Sequence, residues 1–326
     1  MKAPRYRGVL PSKFWKAELT REGYGRTLVE LGHSNPRVVA LDADLSQSTL
    51  TKYFAAEFPD RFFEMGISEQ DMVNTAGGLS LMGFVPFLSS YAIFLTSRSL
   101  DQVRNTVDYT QLNVKIAAAH GGISVGRDGP SHQSMEDLSN MLVLPNMTVV
   151  VPADKPQAEA VTRWAADYVG PVYFRLGREK VPTITDGEGF FEHAKAQTVI
   201  EGEDGTILAC GLMVSEAIKA AELLAKDSVF PRVVNMATLK PLDTVAIDAA
   251  AQETGAIVTA EEHSVFGGLG SVVARHIVQS DRRIPMRIVG IPDIYLTSGA
   301  PEELLEVAGL TAQNIATKLK EALGAK

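Results

Sequence analysis

The chain has 326 residues, 45% of them hydrophobic and 21% charged, and a formal net charge of -8. That length favours two packed domains over a single core. The acidic balance, with no concentrated Lys/Arg tract, argues against nucleic acid as a partner. Apolar runs such as 116–119 and 149–151 are far shorter than a membrane span requires. The start, Met1 to Arg7, is basic and contains no apolar stretch of signal-peptide length. Cys210 is the single cysteine, so no intrachain disulfide can form and a cytoplasmic location is expected.

In chain order, Ser12 to Gly32 is predicted as an amphipathic helix, with Trp15, Leu19, Leu28 and Leu31 near helical spacing. Asn35-Pro36 breaks it. Val38-Val39-Ala40-Leu41 is a continuous apolar run, the pattern of a strand buried on both faces of a parallel sheet. Further strands are predicted at Arg61–Met65, Val114–Ala119, Thr148–Val151 and Val172–Arg175. Helices are predicted at Glu69–Leu81, Arg98–Tyr109, Met135–Asn140 and Lys155–Tyr168. This alternation implies βαβ units wound on both sides of a sheet. An acidic, glycine-containing connector, Thr185 to Gly189, interrupts it. A second alternation follows, with strands at Thr206–Cys210, Arg232–Met236, Ala256–Ala260 and Met286–Val289, and helices at Ser215–Ala225, after Asp243 and at Ser271–Gln279. The expected fold class is therefore α/β, with two doubly wound, mainly parallel domains covering residues 1–188 and 189–326.

In open parallel sheets, ligands bind beyond the carboxyl ends of the strands, and those ends are polar here. One strand ends in Asp42-Ala43-Asp44, the next leads through Gly66 to Glu69, a third stops at His120, and the last carries Arg175. Ser68 and Glu69 also suit the start of a helix, as a cap and a first-turn carboxylate. A catalytic role for Glu69 requires its carboxyl to be buried against a ring nitrogen. His120 and His132 lie in glycine-rich loops, where a backbone can approach a ligand and a neutral imidazole can move protons. Asp128, between them, could orient a hydroxyl or form an Asx turn. His33, His193 and His276 are read as structural. Tyr91 and Phe94, taken alone, are core aromatics. There is no dinucleotide fingerprint and no Gly-Lys-Ser/Thr phosphate loop, and no zinc-ligand spacing.

Together these stretches resemble the thiamine-diphosphate enzymes of the transketolase family, in the half that carries the pyrimidine-binding and C-terminal domains. The resemblance runs from about Leu19 to about Leu310. It rests on Met65-Gly66-Ile67-Ser68-Glu69-Gln70, Gly126-Arg127-Asp128-Gly129-Pro130-Ser131-His132-Gln133, Pro145-Asn146-Met147 and Leu239-Lys240-Pro241-Leu242-Asp243. Glu261-Glu262-His263 with Gly267-Gly268-Leu269-Gly270 adds to it. The resemblance implies that Glu69 hydrogen-bonds N1′ of the cofactor's aminopyrimidine and that a two-carbon unit passes from a ketose to an aldose. It implies that Tyr91 and Phe94 line the pyrimidine pocket, although a third aromatic common in the family is Ser97 here. Asp44 matches an acidic residue near the cofactor, and His120 and His132 match substrate-facing histidines. Asp128 matches a reader of a sugar hydroxyl, while Arg21, Ser48 and Arg175 match positions gripping a terminal phosphate.

The family's diphosphate-binding domain carries Gly-Asp-Gly followed by an asparagine, and no Gly-Asp-Gly occurs in this chain. The resemblance thus implies one subunit of a split transketolase. A partner subunit would hold the Mg2+ or Ca2+ ion and the diphosphate, in an α2β2 assembly. Two other family members stay open: the β-subunit of a 2-oxoacid dehydrogenase and a deoxyxylulose-phosphate-synthase-like enzyme. So does a non-catalytic regulatory subunit of the same fold.

Overall fold

A strand apolar on both sides must be covered on both faces, and its alternate residues must enter two different cores. The computed structural model, which describes residues 4–187, 189–280 and 282–324, has this arrangement. Strands Val38–Asp42, Lys115–Ala119 and Val172–Arg175 are buried along their whole length. Val39, Leu41, Ile116, Ala118 and Tyr173 enter one cluster, while Val38, Ala40, Ala117, Val172 and Phe174 enter another.

These strands belong to a seven-stranded sheet in the order 238–240, 148–150, 172–175, 115–119, 85–91, 38–42, 62–64. All neighbours are parallel except the first pair. A second, six-stranded sheet runs 5–6, 197–201, 232–235, 206–209, 257–264, 286–291. Its last four strands are mutually parallel and its first two pair antiparallel. The expected pair of α/β units with parallel-dominated sheets is therefore present.

Three local differences from the sequence reading have physical causes. First, no strand is predicted between Met65 and Val114, yet Val85–Tyr91 is a fully buried strand between 38–42 and 115–119. Pro86, Ser89 and Ser90 mask it, since proline and polar residues argue against a central strand. Ser89 is accommodated because its hydroxyl pairs with the Tyr24 hydroxyl at 2.7 Å. Second, the first long helix is Thr20–Ser34. Lys16–Glu18 is instead a strand paired with Val181–Thr183, held by Glu18, which accepts from Thr183 Oγ1 and Lys155 Nζ. Third, the Arg98–Tyr109 helix is broken into π-helical turns at Phe94–Arg98 and Val103–Asp108 around Leu100–Gln102.

The two sheets exchange edge strands: Thr238–Lys240 completes the first and Arg5–Tyr6 the second. One core cluster runs through both halves, from Val39 and Leu88 to Met236, Ile247 and Val273. Glu188, where the sequence reading divides the chain, lies outside the described residues, as do Met1, Lys2 and Ala3. Among the described residues no helix is long and apolar enough to cross a membrane.

Candidate active site

Strand 38–42 has its sequence successor, 62–64, on one side and 85–91 on the other. The chain therefore reverses its winding between 38–42 and 85–91, the kind of point where open α/β sheets open a crevice at the strand carboxyl ends. Several of the predicted site residues lie there. Asp42 is fully buried and accepts from Leu45 N, Thr49 Oγ1 and Thr51 Oγ1 at 2.7–2.8 Å. Burial pushes its carboxyl up to about 6 against those hydrogen bonds. This knot shapes the turn that exposes Asp44, at φ 60°, and presents Ser48. Arg21 reaches the same turn, donating from Nη1 to the Ser48 carbonyl at 2.5 Å.

Tyr91 ends its strand and starts a stack of rings. Its ring lies 3.9 Å from that of His120 at an interplanar angle of 13°, and 5.8 Å from Phe94 at 8°. His132 meets Phe94 edge-on at 5.4 Å and Tyr91 at 6.0 Å. His120 is 2% exposed and holds φ 58°, a left-handed conformation rare for a non-glycine residue. Its Nδ1 is buried without a partner among the described residues. Desolvation first, then the charges of Arg21 and Arg178, push its imidazole down to about 2. The ring is therefore neutral at working pH. Strain and an orphaned polar atom at one residue mark a place built for something other than stability.

Glu69 opens helix Glu69–Leu81 and is 1% exposed. Arg98 Nη1 donates to its Oε2 at 2.8 Å, and Ser90 Oγ lies 3.5 Å from Oε1. The Arg98 guanidinium also lies over the Phe94 ring, 4.2 Å from its centroid, which joins the carboxylate to the aromatic wall. A buried carboxylate with one lightly engaged oxygen, next to stacked rings, suits a flat heteroaromatic with a ring nitrogen.

Arg175 departs from expectation. Its Nη1 donates to the Glu262 carbonyl at 2.6 Å, and its Nη2 to the Ser134 carbonyl and to Asp137. Both terminal nitrogens are committed inside the protein, while its Nε has no partner among the described residues. Besides Arg21 and Arg98, a further cation at the crevice is Arg178, three residues beyond Arg175, paired with Asp128 at 2.7 Å and near enough to His120 to act on its charge. Sequence reasoning missed it because Arg175 is the last residue of an obvious strand. The available signal was the polar run Arg178-Glu179-Lys180 beyond that strand's end. The histidines read as structural each have a neighbour in the fold: His33 packs on Phe58, His193 stacks on Trp164, and His276 pairs with Asp248. Among the described residues no group of His, Cys, Asp and Glu is arranged to hold a metal.

The model of the transketolase pyrimidine-binding domain matches residues 17–183, and that of the transketolase C-terminal domain matches residues 194–315. The chain belongs to the transketolase family. It is 38% identical to an apulose-4-phosphate transketolase subunit of Phocaeicola vulgatus, over 90% of this chain and 94% of that one. It is 41% identical to a 6-deoxy-6-sulfo-D-fructose transketolase subunit of a Clostridium species, over 90% and 91%. A solved split-gene transketolase, described as an inactive β4 tetramer, superposes with a TM-score of 0.88 at 48% identity, covering 94% of this chain and 98% of that one. As a transketolase of the split-subunit type, the chain carries the pyrimidine-binding half together with the C-terminal domain.

Proposed function

We propose that this chain is the pyrimidine-binding subunit of a split, cytoplasmic transketolase that moves a two-carbon ketol unit from a ketose phosphate to an aldose phosphate. Thiamine diphosphate would lie between this chain and a partner subunit that supplies the diphosphate and metal site, in an α2β2 assembly. We read the two domains as residues 1–188 and 189–326. The observation that carries this reading is the conjunction of buried Glu69 with the Tyr91–Phe94–His120–His132 ring cluster at the point where the sheet's winding reverses. The cofactor, when bound, supplies the carbanion chemistry.

This chain's residues have separable tasks. Glu69 would hydrogen-bond the pyrimidine nitrogen N1′, and Tyr91 and Phe94 would hold the ring's face. Asp44, exposed in the turn after strand 38–42, would lie near the cofactor. His120 and His132 face the sugar; His120, kept neutral by burial and by two arginines, can share a hydrogen bond with a substrate hydroxyl. Asp128 reads a hydroxyl, its carboxylate aimed by Arg178. Arg21, Ser48 and Arg178 replace the trio first expected as the terminal-phosphate grip, because two guanidinium groups and a hydroxyl suit a dianion.

The test is Glu69→Ala in the complex with the partner subunit. Turnover should fall by about 10²–10⁴-fold, as expected for loss of an acid–base group, with the melting temperature little changed. Near-normal turnover would remove Glu69 from the mechanism.

A further inference from the structure

The loop that carries Asp128 and His132 and follows His120 lies in the pyrimidine-binding half, yet much of its support comes from the other half of the chain. Glu262, near the end of strand Ile257–Ser264, is 7% exposed and accepts from the Ser124 backbone N–H at 2.7 Å. The loop passes so close that a Cβ built on Gly122, at φ 83°, would overlap the Glu262 carboxyl group. Further along, Ser298 Oγ donates to the Arg127 carbonyl at 2.5 Å and Gln133 Nε2 to the Thr297 carbonyl at 3.1 Å. Ser264 N donates to the Met135 carbonyl at 2.9 Å. His263 Nε2 accepts from Ser139 N at 3.2 Å. The loop is thus tied at both ends and its middle to one continuous surface of the C-terminal half.

A bond from a backbone N–H to a buried carboxylate is of the stronger, charge-assisted kind. Glu262 is also fixed from behind, since its own carbonyl accepts from Arg175 Nη1. Arg175 in turn is paired with Asp137. This chain of contacts gives Arg175 its place and gives the C-terminal half a task. None of it reaches Glu69, whose partners are Arg98 and Ser90.

We infer that Glu262 is a positioning residue for substrate recognition. From the C-terminal half it sets the backbone course of the loop bearing Asp128 and His132, and makes no contact with Glu69 at the pyrimidine end of the site. The inference rests on the reading of His120, Asp128 and His132 as the sugar-facing set. Its structural part can be measured without that reading.

The experiment compares Glu262→Ala, Glu262→Gln and Ser298→Ala. Hydrogen exchange of residues 121–136 is followed in the purified chain, and steady-state kinetics with xylulose 5-phosphate as donor are followed in the complex with its partner subunit. Glu262→Ala should speed exchange at Ser124 about tenfold and raise KM about tenfold, the loss of one charge-assisted bond, with kcat and thiamine-diphosphate affinity changed less than about threefold. Glu262→Gln keeps an acceptor oxygen and should restore most of both. Ser298→Ala should move KM the same way by a smaller factor, and it decides the matter if Glu262→Ala does not fold. Unchanged exchange and KM in both alanine variants would overturn the inference. So would a loss of cofactor affinity as large as the rise in KM. Faster exchange in a complex whose wild type turns over no ketose phosphate would leave the loop anchor standing and sink the proposed function instead.

Discussion

His120 concentrates the physics of the site: a strained backbone, an unpartnered Nδ1 and a ring stacked on Tyr91. Its folded-state value near 2 lies below the ordinary histidine value of 6.5. Below that ordinary value the unfolded chain binds a proton that the folded chain refuses, so His120 makes the fold less stable as the pH drops and has no effect above about 6.5. His120→Asn, with a side chain that tolerates a positive φ, should therefore gain on the wild type as the pH falls from about 6.5 to 5. The gain should be about 1.4 kcal/mol per pH unit. Urea unfolding of the two proteins at several pH values measures it, and a pH-independent difference would show that the ring titrates normally. At Arg178, replacement by Ala should lower kcat/KM for a ketose phosphate about 10–100-fold, the range for losing a hydrogen bond to a charged group. A non-phosphorylated ketose should be less affected; an equal loss on both would mean that Arg178 only holds Asp128. Glu69, His120, Asp128 and His132 could be proposed from the sequence because each stands in a compact polar cluster just past an apolar run. Arg175 is held by Glu262, Ser134 and Asp137, so the proposed phosphate contact moves to Arg178 in the loop beyond the strand.

At the scale of elements, the decisive strand is Val85–Tyr91, which periodicity concealed. It creates the reversal of winding and carries Tyr91 to the crevice, so the aromatic pair could be assigned a role from sequence only through resemblance. Its serines are tolerated because Ser89 pairs with buried Tyr24, and Tyr24→Phe should cost about 1 kcal/mol of stability by urea denaturation. The edge strand Thr238–Lys240 was equally hidden, because a three-residue strand has no pattern of its own and is defined by the sheet it joins. Glycine in the substrate-facing loop matters most at Gly122. Gly122→Ala would put a Cβ into the Glu262 carboxyl at a positive φ, and the combined overlap and backbone strain should cost about 2–4 kcal/mol. Thermal unfolding checks this; a change below about 0.5 kcal/mol would mean that the loop moves aside freely.

For the whole molecule, two α/β units share one core and exchange edge strands, and the crevice between strands 38–42 and 85–91 forms one side of a site. An interdomain cavity of about 320 Å³, lined by Gly121, Arg175, Cys210 and Glu262 among others, includes none of Glu69, Tyr91, Phe94, His120 or His132. The fold class was readable because buried parallel strands announce themselves as unbroken apolar runs. The contacts between the halves were not, since residues 124 and 262 meet only once both sheets exist. The central claim is that Glu69 and its ring cluster are half of an active site completed by another chain. Ketol transfer from a panel of ketose phosphates, with thiamine diphosphate and magnesium, should be absent with this chain alone. It should appear when a partner bearing the diphosphate-binding domain is added, and fail again with Glu69→Ala. Transfer by the purified chain alone, or equal transfer by the wild-type and Glu69→Ala complexes, would contradict it.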